Sequence, residues 1–408
     1  MKFRRGHIGR RAFISSMLSA GVTVPTAMGM VSKVQAATPQ RGGVFRVAME
    51  GNPDELGRHL AFLTGNALTV ILPGGGVAGD LAQTLEPDGT GTEWHVKLRR
   101  DVQFHSGKAL TPEDVVLSLA PHMAPGGALG FVEDLVVTGT DGLTFKTEPG
   151  SYNLPRLLAD PLLTIRPGGA STPDGTGPYK LAETAPGLLL RAVRNEDYIH
   201  AGRAHFDACE LRIEPDPTRR QNALINADLD AIDGIDPSAV GFLKRAPNVQ
   251  VQDVPDAVQF VFRLMTSTPD VRAAVSCCLD GPGLVRDIFL GLGSSPERPE
   301  PMGNAHSVRH LNMALPNPLP RAMSGVADHV IARAAAEGIG IAITPVNRAD
   351  IVADMRWGEG QSDDPSLVVA ATAHALNGLS TRVQTSETLA RNGNFDGYKA
   401  YERWWFTA

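Results

Sequence analysis

The sequence predicts an α/β (α+β) protein of two lobes with mixed sheets. Its 408 residues exceed the length of one ordinary domain. Segments in which apolar and polar residues alternate lie between segments with helical spacing, and no repeat of fixed length is present. Hydrophobic residues make up 42% of the chain, which is an ordinary share for a globular protein.

Strand patterns dominate the N-terminal half of the chain. Each is a short run of apolar and β-branched residues bounded by turn residues. The predicted strands are 41–50, 92–100, 143–148, 188–195 and 206–216. Helical spacing follows over 218–232, where Ala223, Leu224 and Ala227 share one face.

A capped helix is predicted from Pro112 to about Leu119. Thr111 suits the N-cap position, and proline is favoured at the first helical position. Asp114 stands where the acid of a capping box belongs. These signals are local, so they predict the start of the helix without reference to the rest of the fold.

The residues before this helix superficially resemble a nucleotide phosphate loop. That loop requires a serine or threonine after its lysine and a glycine five residues before the second glycine. Here Lys108 is followed by Ala109, and Val102 stands five residues before Gly107. The pattern therefore favours a plain turn at Gly107.

The C-terminal half is predicted to be richer in helices. Residues 249–265 have the pattern of two strands broken at Pro255. Three helices are then expected over 269–280, 283–292 and 326–338, followed by a strand over 340–346.

The first 36 residues have the character of a cleaved export signal. They contain six basic residues and no acidic residue, followed by a mildly apolar stretch. Arg10 and Arg11 match a twin-arginine signal, and cleavage is expected after Ala36. A disordered basic tail or a membrane anchor are the alternatives.

The charge balance excludes some partners. Removing the six basic residues of the predicted signal from the 38 in the chain leaves 32, against 44 acidic residues, so the net charge becomes −12. Such a chain is a poor partner for nucleic acid and for an anionic membrane surface. No later stretch has eighteen consecutive apolar residues, so stable membrane insertion after cleavage is not expected.

No catalytic or metal-binding motif is recognisable. The patterns G-x-S-x-G and H-E-x-x-H are absent. Cys209, Cys277 and Cys278 lack metal-ligand spacing and suit small buried side chains, although their redox state is left open. We therefore predict neither enzymatic activity nor a cofactor or metal.

Six segments, in order, resemble the extracellular solute-binding proteins of ABC transporters, in the peptide, dipeptide and nickel class called family 5. FHSGKALTPEDVVLSL and GTGPY are among the most recognisable motifs. The six segments are 41–49, 81–119, 174–211, 219–233, 271–293 and 356–368.

The resemblance implies a two-lobed fold like that of periplasmic binding proteins. Residues 37–255 would form the first lobe, with a small extra subdomain at about 55–165. Residues 256–408 would form the second lobe and would lack the usual C-terminal segment that returns to the first lobe. The protein would be a periplasmic monomer that captures a peptide or other small organic solute and delivers it to permease subunits.

The family also implies a ligand loop, in which an aspartate three residues after a tryptophan pairs with the ligand's α-amino group. Here Trp357 is followed at that distance by Gly360. Because this aspartate is missing, either Glu359 takes its place or the ligand is a different one. The candidate ligand-binding residues are Trp357, Glu359, Asp363, Asp364, Glu50 and Asn52.

Two alternatives remain open from the sequence. A non-transporting or degenerate paralogue would act as a sensory or interaction protein. An exported hydrolase would use Asp363 and Asp364 for acid–base chemistry, although a solvated loop before Pro365 explains these acids better.

Overall fold

The structure is a computed structural model. It describes residues 39–407 except 52, 74, 150–152, 186–187, 267, 297–302, 318, 358–365 and 386–393. The predicted export signal, with Arg10, Arg11 and the cleavage after Ala36, lies outside the described residues. Within the described ranges, every helix is too short or too polar to cross a bilayer.

The strands of the described chain form one large mixed sheet and three small sheets. In chain order they are β1 (Val44–Met49), β2 (Thr69–Ile71), β3 (Val77–Gly79), β4 (Ala82–Pro87), β5 (Glu93–Leu98), β6 (Val132–Val137), β7 (Gly142–Thr147), β8 (Tyr179–Ala185), β9 (Leu189–Arg194), β10 (Ala208–Ile213), β11 (Ala231–Ile232), β12 (Val249–Leu264), β13 (Gly293–Ser294), β14 (His310–Ala314), β15 (Gly340–Ile343), β16 (Ile351–Trp357), β17 (Leu367–Ser380), β18 (Val383–Gln384) and β19 (Trp405–Phe406).

The large sheet has the order β15-β14-β16-β12-β17-β11-β1-β10-β9-β8, with β13 also paired to β17. Parallel pairs join β1 to β10 and β11, while β12 and β17 are antiparallel. The small sheets are β4-β5-β7-β6, β2-β3 and β18-β19. Mixed pairing of this kind confirms the predicted α/β (α+β) class.

The helices connect strands of the large sheet and of the small sheets along the chain. They are α1 (Pro53–Thr64), α2 (Pro112–Leu119), α3 (Leu154–Leu157), α4 (Pro217–Ile225), α5 (Val240–Leu243), α6 (Pro269–Cys278), α7 (Gly281–Gly283), α8 (Arg321–Ala336), α9 (Asn394–Gly397) and α10 (Ala400–Arg403). The predicted bounds of α2 are confirmed, because its capping signals are local.

Three element predictions differ from the structure. The helix predicted over 218–232 ends at Ile225, the end of α4, and Ala231–Ile232 forms the strand β11, so Ala227, with a left-handed φ of 62°, lies outside the helix. Residues 249–264 form the single strand β12, because a register shift between Val254 and Val258 absorbs Pro255 as a bulge. The helix expected over 283–292 is replaced by the short α7 and a π-helical turn at Leu284–Ile288. Four glycines in or beside that segment weaken a regular helix.

Asp114 holds the start of α2. Its side chain pairs with Lys108 and accepts from the backbone N–H groups of Thr111, at 3.0 Å, and Gly168, at 2.7 Å. Burial alone would raise the pKa of Asp114, but Lys108 and these backbone donors outweigh burial and lower it. The lysine that resembled part of a phosphate loop is therefore bound to a capping carboxylate.

Replacing Asp114 with alanine is expected to lower the free energy of unfolding by about 2–3 kcal/mol, because the cap is lost and buried donors lose their acceptor. Urea denaturation measures the change. Glu113→Ala, in the same helical turn but exposed, is the matched control and should cost less than about 0.5 kcal/mol. Equal costs for the two variants would contradict this role of Asp114.

Separate hydrophobic clusters form the cores. In the first lobe, one cluster around Phe45 and Tyr179 and another around Leu224 and Ile232 both contain side chains of β1. A third cluster, over residues 68–165, lies between the β4-β5-β7-β6 sheet and α2. The second-lobe cluster includes residues of β12, α6, α8 and β16.

The end of the chain packs in the first lobe, which corrects the predicted boundary. Phe395, Tyr401 and Trp404 belong to the same cluster as Phe45. The Tyr179 hydroxyl donates to the backbone carbonyl of Tyr401 at 2.9 Å. The assignment of all of 256–408 to the second lobe, without a return segment, is therefore wrong: the aromatic C-terminal residues bury apolar surface of the first lobe.

Candidate functional site

The two lobes are joined by the long strands β12 and β17. From Val249 to Val254, β12 pairs with the part of β17 that continues to β11 in the first lobe. From Val258 onwards, it pairs with the earlier part of β17 and with β16 in the second lobe. The bulge between these two parts marks the point where the strands pass from one lobe to the other.

Asp256 is the polar residue at the centre of this bulge. It has a left-handed backbone conformation with φ of 51°, which is uncommon for residues other than glycine. Pro255 precedes it and has no N–H to offer to the sheet. Left-handed backbone is tolerated best by Asn and Asp among residues with a side chain, which fits aspartate at this position.

The carboxylate of Asp256 is held by two hydroxyls. Ser294 Oγ and Thr372 Oγ1 each donate to Oδ1 of Asp256 at 2.9 Å. Ser294 lies on β13, which pairs with β17 opposite Thr372. Among the residues that the structure describes, no basic side chain forms an ion pair with Asp256.

An open cavity of about 650 Å³ lies on the second lobe, and its lining includes Ser294, one of the two hydroxyl partners of Asp256. Its walls combine apolar side chains, two hydroxyls and one guanidinium. The lining residues include Pro282, Val285, Arg286, Leu290, Ser294 and Ser295. Its volume is within the range of small-molecule sites in proteins.

Two features of the lining bear on what the cavity can bind. Leu290 is 54% exposed and has a left-handed backbone with φ of 49°. Arg286 donates from Nε and Nη2 to the two oxygens of Asp287, at 2.7 and 2.8 Å. The one cation of the lining therefore already has its own counter-charge.

Glu50, a predicted ligand-binding residue, lies at the end of β1. Its carboxylate is 3.6 Å from Nη2 of Arg220, a side chain that is only 1% exposed. Arg220 also donates to the carbonyls of Glu214, at 2.6 Å, and Gly234, at 3.4 Å. The Glu50 carboxylate thus compensates a buried charge, and its contact with a ligand stays a prediction.

Replacing Gly234 with alanine is expected to disturb this ion pair. Gly234 has φ of +59°, and a Cβ there would lie 2.3 Å from Oε2 of Glu50. Moving that carboxylate would leave the buried Arg220 without its partner, so we expect a loss of about 2–3 kcal/mol in unfolding free energy.

Gly202→Ala is the matched control for this change. Gly202 has φ of +80°, but a Cβ there would have no atom within 4 Å, so alanine incurs backbone strain alone, about 1 kcal/mol. Thermal unfolding of both variants separates the two contributions. A Gly234→Ala cost no larger than that of Gly202→Ala would show that the ion pair is unaffected.

The structure places the other predicted residues as follows. Trp357 ends β16, where its backbone lies opposite Val258, just past the bulge. Glu359, Asp363, Asp364 and Asn52 lie outside the described residues. The predicted ligand loop therefore begins at the junction between the lobes.

Sequence reasoning missed Asp256, Ser294 and Thr372. Pro255 within an alternating strand pattern was a signal of a bulge, and an aspartate next to it was a candidate for left-handed backbone. Nothing in the sequence spacing indicated that Ser294 and Thr372 would contact Asp256, because those contacts depend on sheet pairing.

The three cysteines are not among the residues that line this site. Cys209, Cys277 and Cys278 are all free, and burial raises the pKa of Cys278 to about 11. Over the described part of the chain, no cluster of three or more His, Cys, Asp or Glu side chains is arranged to hold a metal ion.

Comparison with known proteins decides the family. The family model for bacterial extracellular solute-binding proteins, family 5 Middle, matches residues 76–309. The chain belongs to this family. Its segments 81–119, 174–211, 219–233 and 271–293, which resembled the family in sequence, lie within the matched region.

Curated relatives are distant and longer. Oligopeptide-binding protein AppA of Bacillus subtilis (strain 168) is 22% identical over 306 residues, which cover 66% of this chain and 56% of AppA. Heme-binding protein A of Haemophilus influenzae is 25% identical over 263 residues, which cover 54% of this chain and 48% of the relative. The chain thus spans about half the length of these two relatives.

Solved structures share the fold. The PBP AgaA of A. tumefaciens R10, in complex with agropinic acid, has a TM-score of 0.77 at 16% identity, covering 90% of this chain and 99% of that chain. The periplasmic binding protein DppA of Helicobacter pylori, in complex with the peptide STSA, has a TM-score of 0.74 at 13% identity, covering 90% and 99%. These similarities confirm the predicted two-lobed periplasmic-binding-protein-like fold.

Proposed function

We propose that this protein is the substrate-binding component of an ABC transporter. It captures a peptide or other small organic solute between its lobes and delivers it to permease subunits, as a monomer and without bond chemistry. The observation that carries the proposal is the pair of strands, β12 and β17, that joins the lobes through the bulge between Val254 and Val258. Two lobes on such a connection can rotate towards each other around a ligand.

Closure of the lobes requires a ligand that prefers the closed form. A solute that bound the open and closed forms equally would not change the populations of the two forms, whatever its affinity. An ion pair already reaches across the lobes: Arg321, at the start of α8 in the second lobe, is 3.5 Å from Asp236 in the first. This exposed pair adds little stability by itself, so a bound solute has to supply most of the preference for closure.

Export to the periplasm completes the proposal. The basic N-terminal segment with Arg10 and Arg11 supports the twin-arginine route. Fractionation of cells that express the full chain, with detection of the processed form, tests this localisation. Retention of the full-length chain in the cytoplasm would contradict it.

The test of binding is a solute screen on the exported, purified chain. Because relatives and structural neighbours bind peptides, agropinic acid or nickel complexes, the panel contains di- and oligopeptides, amino acids, opines and nickel–histidine. A ligand at 100 times its Kd should raise the unfolding free energy by about 2.7 kcal/mol, seen as a higher Tm.

Small-angle X-ray scattering then measures closure. The radius of gyration should fall with the same solute that raises Tm, and should not change with solutes that leave Tm unchanged. A chain that unfolds cooperatively but neither gains stability nor contracts with any solute would favour a non-transporting paralogue. Turnover of a solute would instead indicate an enzyme.

A further inference from the structure

Asp236 and the start of α8 lie at facing edges of the two lobes. In the first lobe, the chain leaves β11 and follows β17 towards the second lobe, and the N–H of Ile235 donates to a carbonyl of β17 at 3.2 Å. Asp236 is the next residue. In the second lobe, β14 is parallel to β16, which ends at Trp357 beside the bulge at residues 254–258, the hinge. Because carboxyl ends of parallel strands share one edge, α8, which follows β14, begins on the side of the first lobe.

The first turn of α8 carries positive charge without an acid of its own. Arg321 is the first residue of this helix, and its first turn contains no acidic residue and no side-chain cap. A basic side chain there adds to the positive end of the helix dipole, which is unfavourable for the helix by itself. The compensating carboxylate comes from the first lobe, because Oδ2 of Asp236 is 3.5 Å from Nη2 of Arg321.

Asp236 is held in position and ionised. Its Oδ1 accepts from the backbone N–H of Ser238 at 2.9 Å and from the Ser238 hydroxyl at 2.6 Å, while Oδ2 faces Arg321. Burial alone would raise the pKa of Asp236, but Ser238 and Arg321 outweigh burial and lower it. The Arg321 side chain is 65% exposed, so the attraction acts largely through water and is screened by salt.

We propose that Asp236 and Arg321 form an electrostatic latch between the lobes, which makes the balance of closed and open forms of the solute-free protein depend on ionic strength. At low salt, the attraction favours the arrangement in which the lobes meet at this pair. Added salt weakens the attraction and releases the lobes. An exposed pair of this kind changes the ratio of the two forms about two- to fivefold. The inference rests on the proposed solute-binding function and adds to it a response of the empty protein to its ionic surroundings.

Small-angle X-ray scattering from the solute-free mature protein tests the latch. The radius of gyration should rise between about 10 mM and 1 M NaCl, because the Debye length falls from about 30 Å to about 3 Å. General repulsion within the chain, whose net charge is −12 once the predicted signal is removed, has the opposite effect. Salt would screen that repulsion and make the molecule more compact. The sign of the change therefore separates the latch from the overall charge.

Two variants each remove one charge of the latch. Asp236→Asn keeps a side chain that can accept from Ser238, and Arg321→Gln keeps a good helix former. Each should have, at every salt concentration, the radius of gyration that the wild type reaches in 1 M NaCl. The double variant should behave like either single variant, because the two residues act through one contact.

Arg333→Gln is the matched control. Arg333 lies on the same helix, is 47% exposed and pairs at 3.0 Å with Glu337 of its own lobe. Its replacement makes the same change of charge without touching the contact between the lobes. The radius of gyration and its response to salt should both stay as in the wild type.

Three results would overturn the latch: a wild-type radius of gyration that stays constant or falls with salt, single variants that keep the wild-type response, or a control variant that loses it. If a solute from the screen still contracts the chain, these results reject this inference alone. The absence of contraction with every solute in the screen would reject the proposed function itself.

Discussion

Replacing Trp404 with alanine is expected to lower the free energy of unfolding by about 3–5 kcal/mol, because it leaves a cavity in the first-lobe core. Trp404 is fully buried. Its ring lies 6.2 Å from that of Phe45 on β1 and 6.0 Å from that of Phe395, both in edge-on geometry. Urea denaturation followed by circular dichroism measures the loss.

Trp404→Phe is the matched control. It keeps an aromatic ring against Phe45 and Phe395 and removes an indole N–H that has no hydrogen-bond partner among the described residues. The expected cost is less than about 1.5 kcal/mol. If alanine cost no more than phenylalanine, the packing of the chain end in the first lobe would be contradicted.

Replacing Glu402 with glutamine is expected to cost about 3 kcal/mol, because it leaves buried positive charge without its counter-charge. The carboxylate is 2% exposed, lies 3.1 Å from Nζ of Lys399 and pairs with Arg203. Glu210→Gln is the control: that acid pairs with Arg191 at 3.0 Å, but both side chains are more than a third exposed. Its loss should cost less than about 1 kcal/mol.

The cost of Glu402→Gln should depend on pH in a defined direction. Burial alone would raise the pKa of Glu402, but Lys399, Arg203 and Arg403 hold it well below its usual value of 4.5. A carboxyl with a lowered folded pKa contributes stability above its unfolded pKa and loses that contribution as the pH falls through the folded pKa.

The difference between wild type and Glu402→Gln should therefore be constant at neutral pH and shrink as the pH falls below about 4.5. Denaturation series from pH 7 to pH 3 measure it. A difference that grows on acidification would contradict the assignment of Glu402 as an ionised, paired carboxylate.

The candidate site was only partly predictable. The family resemblance selected Trp357 as a candidate ligand-binding residue. The structure puts its backbone beside the hinge, opposite Val258. Glu50 was also selected, but the sequence did not indicate that a buried Arg220 would pair with it. Ion pairs between residues 170 positions apart leave no local pattern, since neither side chain influences the other's backbone preferences.

Short-range signals determined much of this protein from sequence alone. The capped start of α2, the strand β1 and the helix α6 follow from residues within a few positions of each other, because caps and periodicity act over one or two turns. The family motifs, which occur in this chain in the same order as in the family, also predicted the two-lobed fold.

The tertiary structure alone decided where the chain end packs and where the lobes are joined. Trp404 meets Phe45 across 359 residues of sequence, and Asp256 meets Thr372 across 116. Such contacts form because the large sheet brings β1, β12 and β17 together and because burial of apolar surface favours whichever segment can cover it.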